Sequence, residues 1–593
     1  MKRIVLTVCL LTGLAVAEPS ATNLIANVPN RTTISLDGAW NTIIDPYESG
    51  LGQRVYENVK PKDKSDLVEY EFDASQKLLV PGDWNSQRES LFFYEGPVWY
   101  QRYFAYQKHP HTRVYLYFGA ANYQARVWLN GKKLGEHVGG FTPFNFEITG
   151  EVAEGQNSLV VEVNNARRVD GVPALNTDWW NYGGLTRSVQ LIELPETYIQ
   201  DYSVQLAKGS ANEIAGWVRL AGATQAQTVS LEIPEIGLKK SLSTGASGYA
   251  EFRFPVKVKL WSPEDPKLYQ VRIFAGDDVE EDQIGFRTIE TKGTQILLNG
   301  KPIFLRGISV HEEAPFREGR GLTEEEDLTL LSWAKELGCN FIRLAHYPHN
   351  EAMIRQADRT GLLVWEEVSV YWDTAWENPA TLDNAESQMR DVVARDHNRA
   401  AVILWSLSNE TPTSSPRLEF LKTFAAYTRK LDNTRLLTSA MNRTGSAGPY
   451  QRLINDPLGE YVDVQGLNEY IGWYEHRPED ADKTTWQESY EKPVIVSEFG
   501  AGAVYGRHGA ADERWTEEYQ ANLYEHQIKM LRQMPFVAGM SPWLLMDFRS
   551  PRRPLVGIQD WHNRKGLIST RGGRKQAFYV LQKFYREKAQ AGK

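Results

Sequence analysis

The chain has 593 residues, too many for a single hydrophobic core, so about three domains are expected. Hydrophobic residues make up 42% of it and charged residues 24%, which excludes disorder on a large scale. A net charge of −9 at pH 7, without a basic tail, argues against nucleic acid as a partner.

The first residues predict an exported protein. Lys2-Arg3 precede an apolar run over residues 4–16, and a small-x-small cleavage site ends at Ala17, so residues 1–17 resemble a signal peptide. The run is too short to span a bilayer, and no later segment reaches the ~20 apolar residues that a membrane helix needs. After cleavage Cys339 is the one remaining cysteine, so no intramolecular disulfide can form. This cysteine usage favours a bacterial periplasmic or secreted protein.

Two β-rich domains are predicted next, over residues 18–195 and 196–289. In the first, alternating runs such as residues 125–129 end in Asn130-Gly131, a strong hairpin signal, and the pattern favours a jelly-roll sandwich. In the second, the alternating runs follow one another at shorter spacing, which suits a small immunoglobulin-like sandwich. Their predicted strands include residues 230–233, 250–254 and 269–274.

Over residues 290–593, short apolar runs alternate with amphipathic helical patterns, the signature of repeated βα units. One helix begins at Thr323, with Glu326 three residues later as a capping box, and ends at Gly338. Eight strand–helix units over about 300 residues predict a (β/α)8 barrel, whereas a doubly wound sheet usually has fewer repeats. The predicted strands are residues 303–307, 341–345, 362–366, 402–406, 436–440, 462–467, 494–497 and 537–545. The other predicted helices are residues 351–360, 384–398, 417–431 and 515–534.

Two glutamates follow predicted barrel strands, at the end where such barrels carry their active sites. Glu410 comes after strand four and Glu498 after strand seven, each behind a hydrophobic run. Either acid alone could cap a helix or pair with a buried base. Two carboxylates on opposite sides of one barrel mouth suit glycosidic bond hydrolysis, which needs an acid and a second carboxylate that faces the anomeric carbon.

The Asn409-Glu410 pair, Glu498 and the order of the three domains resemble glycoside hydrolase family 2 over nearly all of the mature chain. Residues 178–189 (DWWNYGGLTRSV) and 299–302 (NGKP) resemble its linker and the start of its barrel. The resemblance implies a retaining exo-β-glycosidase, with Glu498 as nucleophile and Glu410 as acid/base. Asn409 would then bond the 2-hydroxyl of the sugar. Retention implies carboxyl groups about 5–5.5 Å apart, a raised pKa for Glu410 and an ionised Glu498.

The C-terminal segment favours a uronic acid as the sugar. Asn563 and Lys565 resemble the motif with which the β-glucuronidases of the family hold the substrate carboxylate. They lie in a basic stretch, residues 549–575, that contains eight cations and a single acid, Asp560. An ammonium and an amide donor suit a carboxylate, and a neutral hydroxymethyl group does not need them.

The same resemblance implies further sugar contacts. Asp178 would bond distal hydroxyls, and Trp543 would form a stacking floor, although barrel packing explains Trp543 equally well. His311 suits a structural role as well as a sugar contact. The remaining implied substrate-binding residues are His346, Asn468, Tyr470 and Tyr474.

The sequence departs from the family pattern at two places. Thr411 stands between Glu410 and the proline that usually follows the acid/base directly, which changes the local turn. Gln559 stands where glucuronidases often have an arginine. Recognition of the substrate carboxylate is therefore weaker or depends on another arginine. Galacturonides, which differ from glucuronides only at C4, are then an alternative substrate class. The candidate arginines are Arg552, Arg553 and Arg564.

Three hypotheses remain. The first is hydrolysis of glucuronides, at acidic oligosaccharide ends or in glucuronide conjugates. The second is a β-galactosidase or another neutral-sugar hydrolase in which Lys565 is incidental, and the third is a non-catalytic carbohydrate-binding protein. No cofactor is expected, and no metal, because the acid-rich residues 311–313 and 366–367 lack the spacing of a coordination set. The short connection 369–384 predicts an open aglycone site, and the resemblance implies a homo-oligomer.

Overall fold

The computed structural model describes residues 23–63, 65–66, 68–442 and 445–591. The predicted signal peptide, residues 1–17, lies outside the described residues and stays a prediction. Within the described ranges, no helix is both long and apolar enough to cross a bilayer. Cys339 is buried there and its thiol is free.

The first domain is a sandwich of two antiparallel sheets around one apolar core. The hairpin predicted at Asn130-Gly131 is confirmed, since both residues have positive φ, 52° and 80°, as a two-residue hairpin turn requires. Across the six-stranded sheet, the order is Gln76–Val80, Gly38–Ile44, Pro97–Tyr106, Gly155–Asn164, Gln124–Leu129 and Lys132–Val138. Across the four-stranded sheet, it is Thr33–Ser35, Val189–Pro195, Thr112–Phe118 and Phe144–Glu147.

The second domain is a smaller antiparallel sandwich of the immunoglobulin-like kind, with its own core. Along Leu268–Ala275 every second residue is buried, which explains the alternating sequence. One sheet contains Tyr198–Leu206, Glu213–Ala221 and Tyr249–Pro255, and the other contains Leu238–Ser243, Thr228–Ile233, Leu268–Ala275 and Asp278–Gly285. A short sheet of Ile289–Lys292, Gln295–Leu298 and Lys301–Pro302 then leads into the third domain.

The third domain is a parallel barrel around the largest apolar core. Strand one is interrupted at Gly307-Ile308. Its first part pairs with strand eight and its second part with strand two, so the sheet closes on itself. Barrel strands one to eight are Leu305–Arg306 with Ser309–Val310, Phe341–Leu344, Leu363–Glu367, Val402–Asn409, Leu436–Asn442, Val464–Asn468, Val494–Glu498 and Val537–Met540.

The first barrel helix, Glu324–Leu337, has the predicted capping box of Thr323 and Glu326 and ends at Gly338. The other long helices are Glu351–Thr360, Pro379–Asp396, Ser415–Leu431, Glu517–Leu531 and Gln576–Ala591. The prediction of eight complete strand–helix units is wrong for strands five and six, because described residues 445–493 contain no α-helix. Four prolines in that segment remove amide donors that a helix needs. It forms a small sheet and two 3-10 turns instead: Gly445–Gly448, Gln451–Ile454 and Thr485–Glu488, with Pro457–Glu460 and Pro478–Lys483.

Candidate active site

Glu410 and Glu498 lie at the carboxyl ends of strands four and seven, and one hydrogen-bond network joins them. The Asn468 side-chain amide donates to Glu410 Oε1 at 3.1 Å, and Asn468 Oδ1 accepts from the Ser497 hydroxyl at 2.7 Å. The Tyr470 hydroxyl donates to Glu498 Oε2 at 2.8 Å. The structure therefore brings four of the predicted site residues, the two acids with Asn468 and Tyr470, to one place.

Arg343 holds the nucleophile candidate from the opposite side, and sequence analysis missed it. Its guanidinium is fully buried and donates to Glu498 Oε1 at 2.7 Å and to Glu367 Oε1 at 3.2 Å. A cation at this distance stabilises negative charge on Glu498. Burial opposes ionisation of Glu367, but Arg343 and His346 hold its pKa below the usual range. The available signal was an arginine inside the apolar run of strand two.

Asn409 is buried beside this arginine. Its Oδ1 accepts from Arg343 Nη2 at 2.7 Å and from Asn468 Nδ2 at 3.3 Å. Its own Nδ2 has no hydrogen-bond partner among the described residues. A buried amide donor without a partner is costly unless a ligand provides one. The arrangement suits a donor to a substrate hydroxyl, as the sequence predicts for the 2-hydroxyl.

The surroundings of Glu410 make it a proton donor near neutral pH. Burial raises its pKa to about 7, and the negative charge of Glu498 adds to this rise. Trp372 Nε1 donates to Glu410 Oε2 at 2.9 Å, which lowers the pKa in part. Sequence analysis did not single out Trp372, which lies in the connection after strand three, where no local pattern shows that it reaches strand four. One protonated and one ionised carboxyl are the two forms that acid and nucleophile need.

Lys565 and Tyr474 form the next part of the site, beside Tyr470. The Lys565 ammonium donates to the Tyr474 hydroxyl at 2.8 Å and lies 5.6 Å and 4.8 Å from the ring centres of Tyr470 and Tyr474. Lys565 is 4% exposed, and no carboxylate of the described residues pairs with it. The Tyr474 ring is 59% exposed and lines the open side of the cleft. The ammonium is thus buried among aromatic rings, and the part of the chain that the structure describes provides no anion for it.

Asp178 joins the first domain to this cluster. Its Oδ1 accepts from the Ser550 hydroxyl at 2.6 Å and from Arg553 Nε at 3.1 Å, and its Oδ2 accepts from Asn563 Nδ2 at 3.1 Å. Arg553 Nη2 also lies 3.3 Å from the Tyr474 hydroxyl. Asp178, Asn563 and Lys565 therefore lie together, as the sequence predicts, and Arg553 adds a guanidinium.

Of the three arginines that the sequence left open, only Arg553 contacts these residues in the described structure. Arg552 packs over the Trp372 ring at 4.9 Å, and Arg564 lies 3.7 Å from Asp547. The turn before Asn563 explains why a residue ten positions earlier reaches the site. Asp560 has positive φ, 44°, and the strand Phe548–Arg549 pairs with His562–Asn563, so the loop between them returns on itself.

Trp543 and two histidines lie beneath the cleft. Trp543 is 3% exposed and stacks on His346, with ring centres 4.8 Å apart. His346 Nε2 lies 3.9 Å from Glu498 Oε1, so His346 borders the catalytic carboxylates. His311 bonds the Tyr347 hydroxyl at 3.1 Å, and burial, with His346 nearby, lowers its pKa well below the ordinary value. His311 is therefore neutral and packs inside the aromatic floor.

The acidic side chains of residues 311–313 and 366–367 bond other side chains of the protein. Glu312 Oε1 lies 3.1 Å from Arg187 Nη2, Glu313 accepts from the Tyr182 hydroxyl at 3.0 Å, and Glu366 pairs with Arg395. Among the described residues, no group of three or more His, Cys, Asp or Glu is arranged to hold a metal ion.

Comparison with known proteins identifies two of the domains. Residues 289–588 match the family described as glycosyl hydrolases family 2, TIM barrel domain, and residues 33–195 match its sugar binding domain. The β-glucuronidase of Canis lupus familiaris is 30% identical, over 94% of this chain and 91% of its own length.

Solved structures resemble the whole architecture. A β-glucuronidase from an uncultured Clostridium species superposes with a TM-score of 0.81 at 26% identity, over 94% of this chain and 98% of that one. A β-galacturonidase from Eisenbergiella tayi has a TM-score of 0.78 over 94% and 96% of the two chains; its 24% identity shows the shared fold alone. With the barrel match spanning about half of its length and the dog enzyme aligned almost end to end, the chain is a glycoside hydrolase of family 2.

Proposed function

We propose that the protein is a retaining exo-β-glycosidase that hydrolyses terminal β-D-glucuronic acid residues. The observation that carries this substrate is the buried Lys565 ammonium, which has no carboxylate partner among the described residues. An unpaired buried charge is expensive, and a uronate carboxylate supplies the missing anion. Arg553 and Tyr474 place further polar hydrogens beside it. The names of the dog and Clostridium relatives agree with this substrate.

In the first half of the proposed reaction, ionised Glu498 attacks the anomeric carbon and forms a glycosyl ester. Arg343 and Tyr470 keep its carboxylate oriented through bonds of 2.7 Å and 2.8 Å. Glu410, protonated because its pKa is about 7, transfers its proton to the departing oxygen as the glycosidic bond breaks. The amide of Asn409 is available to the 2-hydroxyl throughout.

In the second half, Glu410 acts as a base. Once Glu498 is esterified, its negative charge is gone, so the electrostatic contribution that raises the pKa of Glu410 disappears. Glu410 then takes a proton from water as the water oxygen attacks the anomeric carbon. The ester bond breaks, Glu498 recovers its charge, and the uronic acid leaves with its original configuration.

The aglycone side of the cleft is open. A cavity of about 650 Å³ borders Asn468, Tyr470 and Tyr474 and extends to the small sheet after strand five. Because Asn468 also contacts Glu410, this cavity begins where the leaving group must lie. Its other lining residues are Asn442, Gly445, Ser446, Glu469 and Glu475, which are mostly polar and suit the hydroxyl groups of a further sugar.

The substrate is tested by comparing aryl β-glucuronide, β-galacturonide and β-galactoside at equal concentration. We expect the highest kcat/KM on the glucuronide. A higher kcat/KM on the galacturonide would support the carboxylate pocket but show that the enzyme prefers the C4 configuration of galacturonic acid. A higher value on the neutral galactoside would contradict the role of Lys565.

The bond from Trp372 to Glu410 gives a pH prediction. It stabilises the ionised carboxylate, so Trp372→Phe should raise the pKa of Glu410. A group with a higher pKa keeps its proton to higher pH, so the basic limb of the kcat/KM profile, near pH 7 in the wild type, should move upward. A hydrogen bond to a charged group is worth ~1.5 kcal/mol, about one pH unit.

Trp376→Phe is the matched control for this prediction. Trp376 lies in the same connection but packs against Phe420, 5.3 Å between ring centres, so its variant should leave the basic limb unchanged. Equal shifts in the two variants, or a downward shift for Trp372→Phe, would show that Trp372 does not act on the proton of Glu410.

A further inference from the structure

A cavity of about 270 Å³ adjoins the Lys565 side of the cleft, between the connections that follow strands six, seven and eight. Four cations line it, Arg514, Arg553, Arg564 and Lys565, and we call it the cationic cavity. No aspartate or glutamate is among its described lining residues. It shares Tyr474, Arg553 and Lys565 with the site described above, so a ligand can occupy both spaces at once.

Two of the four cations lie within 4 Å of a carboxylate outside the cavity lining. Arg553 is paired with Asp178, and Arg564 lies 3.7 Å from Asp547. Arg514 and Lys565 have no carboxylate partner among the described residues. The Arg514 guanidinium lies 4.0 Å from the ring centre of Trp473 and donates one hydrogen bond to the Trp473 carbonyl oxygen at 2.6 Å. No described residue uses its other donors, so the positive charge of Arg514 stays uncompensated even when a uronate carboxylate neutralises Lys565.

The position of this charge relative to the sugar follows from the proposed function, on which the inference rests. If the C6 carboxylate lies at Lys565, the ring hydroxyl closest to it is O4, because C4 and C5 are adjacent. The Asp178 carboxylate, which was assigned to the distal hydroxyls, is paired with Arg553 and so carries no uncompensated charge there. We propose that the cationic cavity is a second anion subsite that takes a sulfate ester on O4 of the terminal uronic acid. A sulfate keeps its charge at any working pH and offers three acceptor oxygens to guanidinium donors. The connections after strands seven and eight are also where (β/α)8 barrels frequently bind phosphate groups, tetrahedral anions of similar size.

Arg514→Ala is the decisive variant, because Arg514 is exposed on a loop and has no part in the mechanism above. Sulfate binding is measured by titration calorimetry of sodium sulfate into the Glu498→Gln protein, against sodium chloride of equal ionic strength. We expect sulfate to bind more tightly than chloride, and Arg514→Ala to weaken sulfate binding about tenfold, as for the loss of a hydrogen bond to a charged group. Arg507→Ala is the control, since Arg507 lies in the same loop, pairs with Glu513 at 3.2 Å and does not line the cavity.

The substrate arm uses an aryl β-glucuronide with and without a sulfate on O4. We expect Arg514→Ala to lower kcat/KM about tenfold on the sulfated substrate and less than twofold on the unsubstituted one. Sulfate no tighter than chloride, or equal effects of Arg507→Ala and Arg514→Ala, would overturn the subsite. Binding of free sulfate without turnover of the sulfated glucuronide would overturn its assignment to O4. Because calorimetry needs no turnover, Arg514-dependent sulfate binding in a protein that cleaves no glucuronide would contradict the proposed function alone.

Discussion

Glu498→Gln should lose kcat on an aryl β-glucuronide by a factor on the order of 10⁴ or more while the protein stays folded. The amide has nearly the shape of the carboxylate, and Arg343 and Tyr470 can still bond its oxygen and nitrogen after small rotations. It cannot displace the aglycone, so the glycosyl ester does not form. Steady-state kinetics measure the loss, and thermal unfolding shows whether the fold is kept.

The face on which Glu498 acts can be tested with Glu498→Ala and added azide. Azide then attacks the anomeric carbon from the space that the carboxylate vacates, and the product should be the α-glycosyl azide. With Glu410→Ala the ester still forms, and azide attacks it from the other face to give the β-glycosyl azide. Retained activity in Glu498→Gln, or β-azide from Glu498→Ala, would remove Glu498 from the role of nucleophile.

Local patterns predicted much of the fold because their causes are local. The capping box of Thr323 and Glu326 and the hairpin at Asn130-Gly131 depend on neighbours a few residues apart, and both are present. Strand ends could be located because buried parallel strands are continuous apolar runs. The missing helices after strands five and six have no such signature, because prolines show only that a helix is interrupted and not what replaces it.

The site residues that the sequence predicted most directly are those at the ends of barrel strands. Glu410 and Glu498 follow strands directly, so their position on one face of the barrel follows from the topology. Arg343 is on a strand but looks like a structural ion-pair partner until its contact with Glu498 is seen. Trp372 and Arg553 reach the site through connections without helix or strand structure, and sequence spacing does not determine the paths of such connections.

Lys565→Met should lower kcat/KM on the aryl β-glucuronide by about 10- to 150-fold, the value of a charge-assisted bond of ~1.5–3 kcal/mol. Methionine keeps the apolar stem that packs near Tyr470 and Tyr474 and removes only the ammonium. Since that ammonium has no acid partner among the described residues, its removal should leave the free energy of unfolding unchanged or raise it.

The neutral aryl β-galactoside separates recognition of the carboxylate from general damage to the site. Its kcat/KM should change less than about threefold in Lys565→Met, because no charge on that sugar faces residue 565. Lys583→Met, on the exposed surface of the last helix, should change neither substrate. An equal loss on glucuronide and galactoside would mean that Lys565 supports the fold of the cleft, and the uronate assignment would then lose the contact on which it depends.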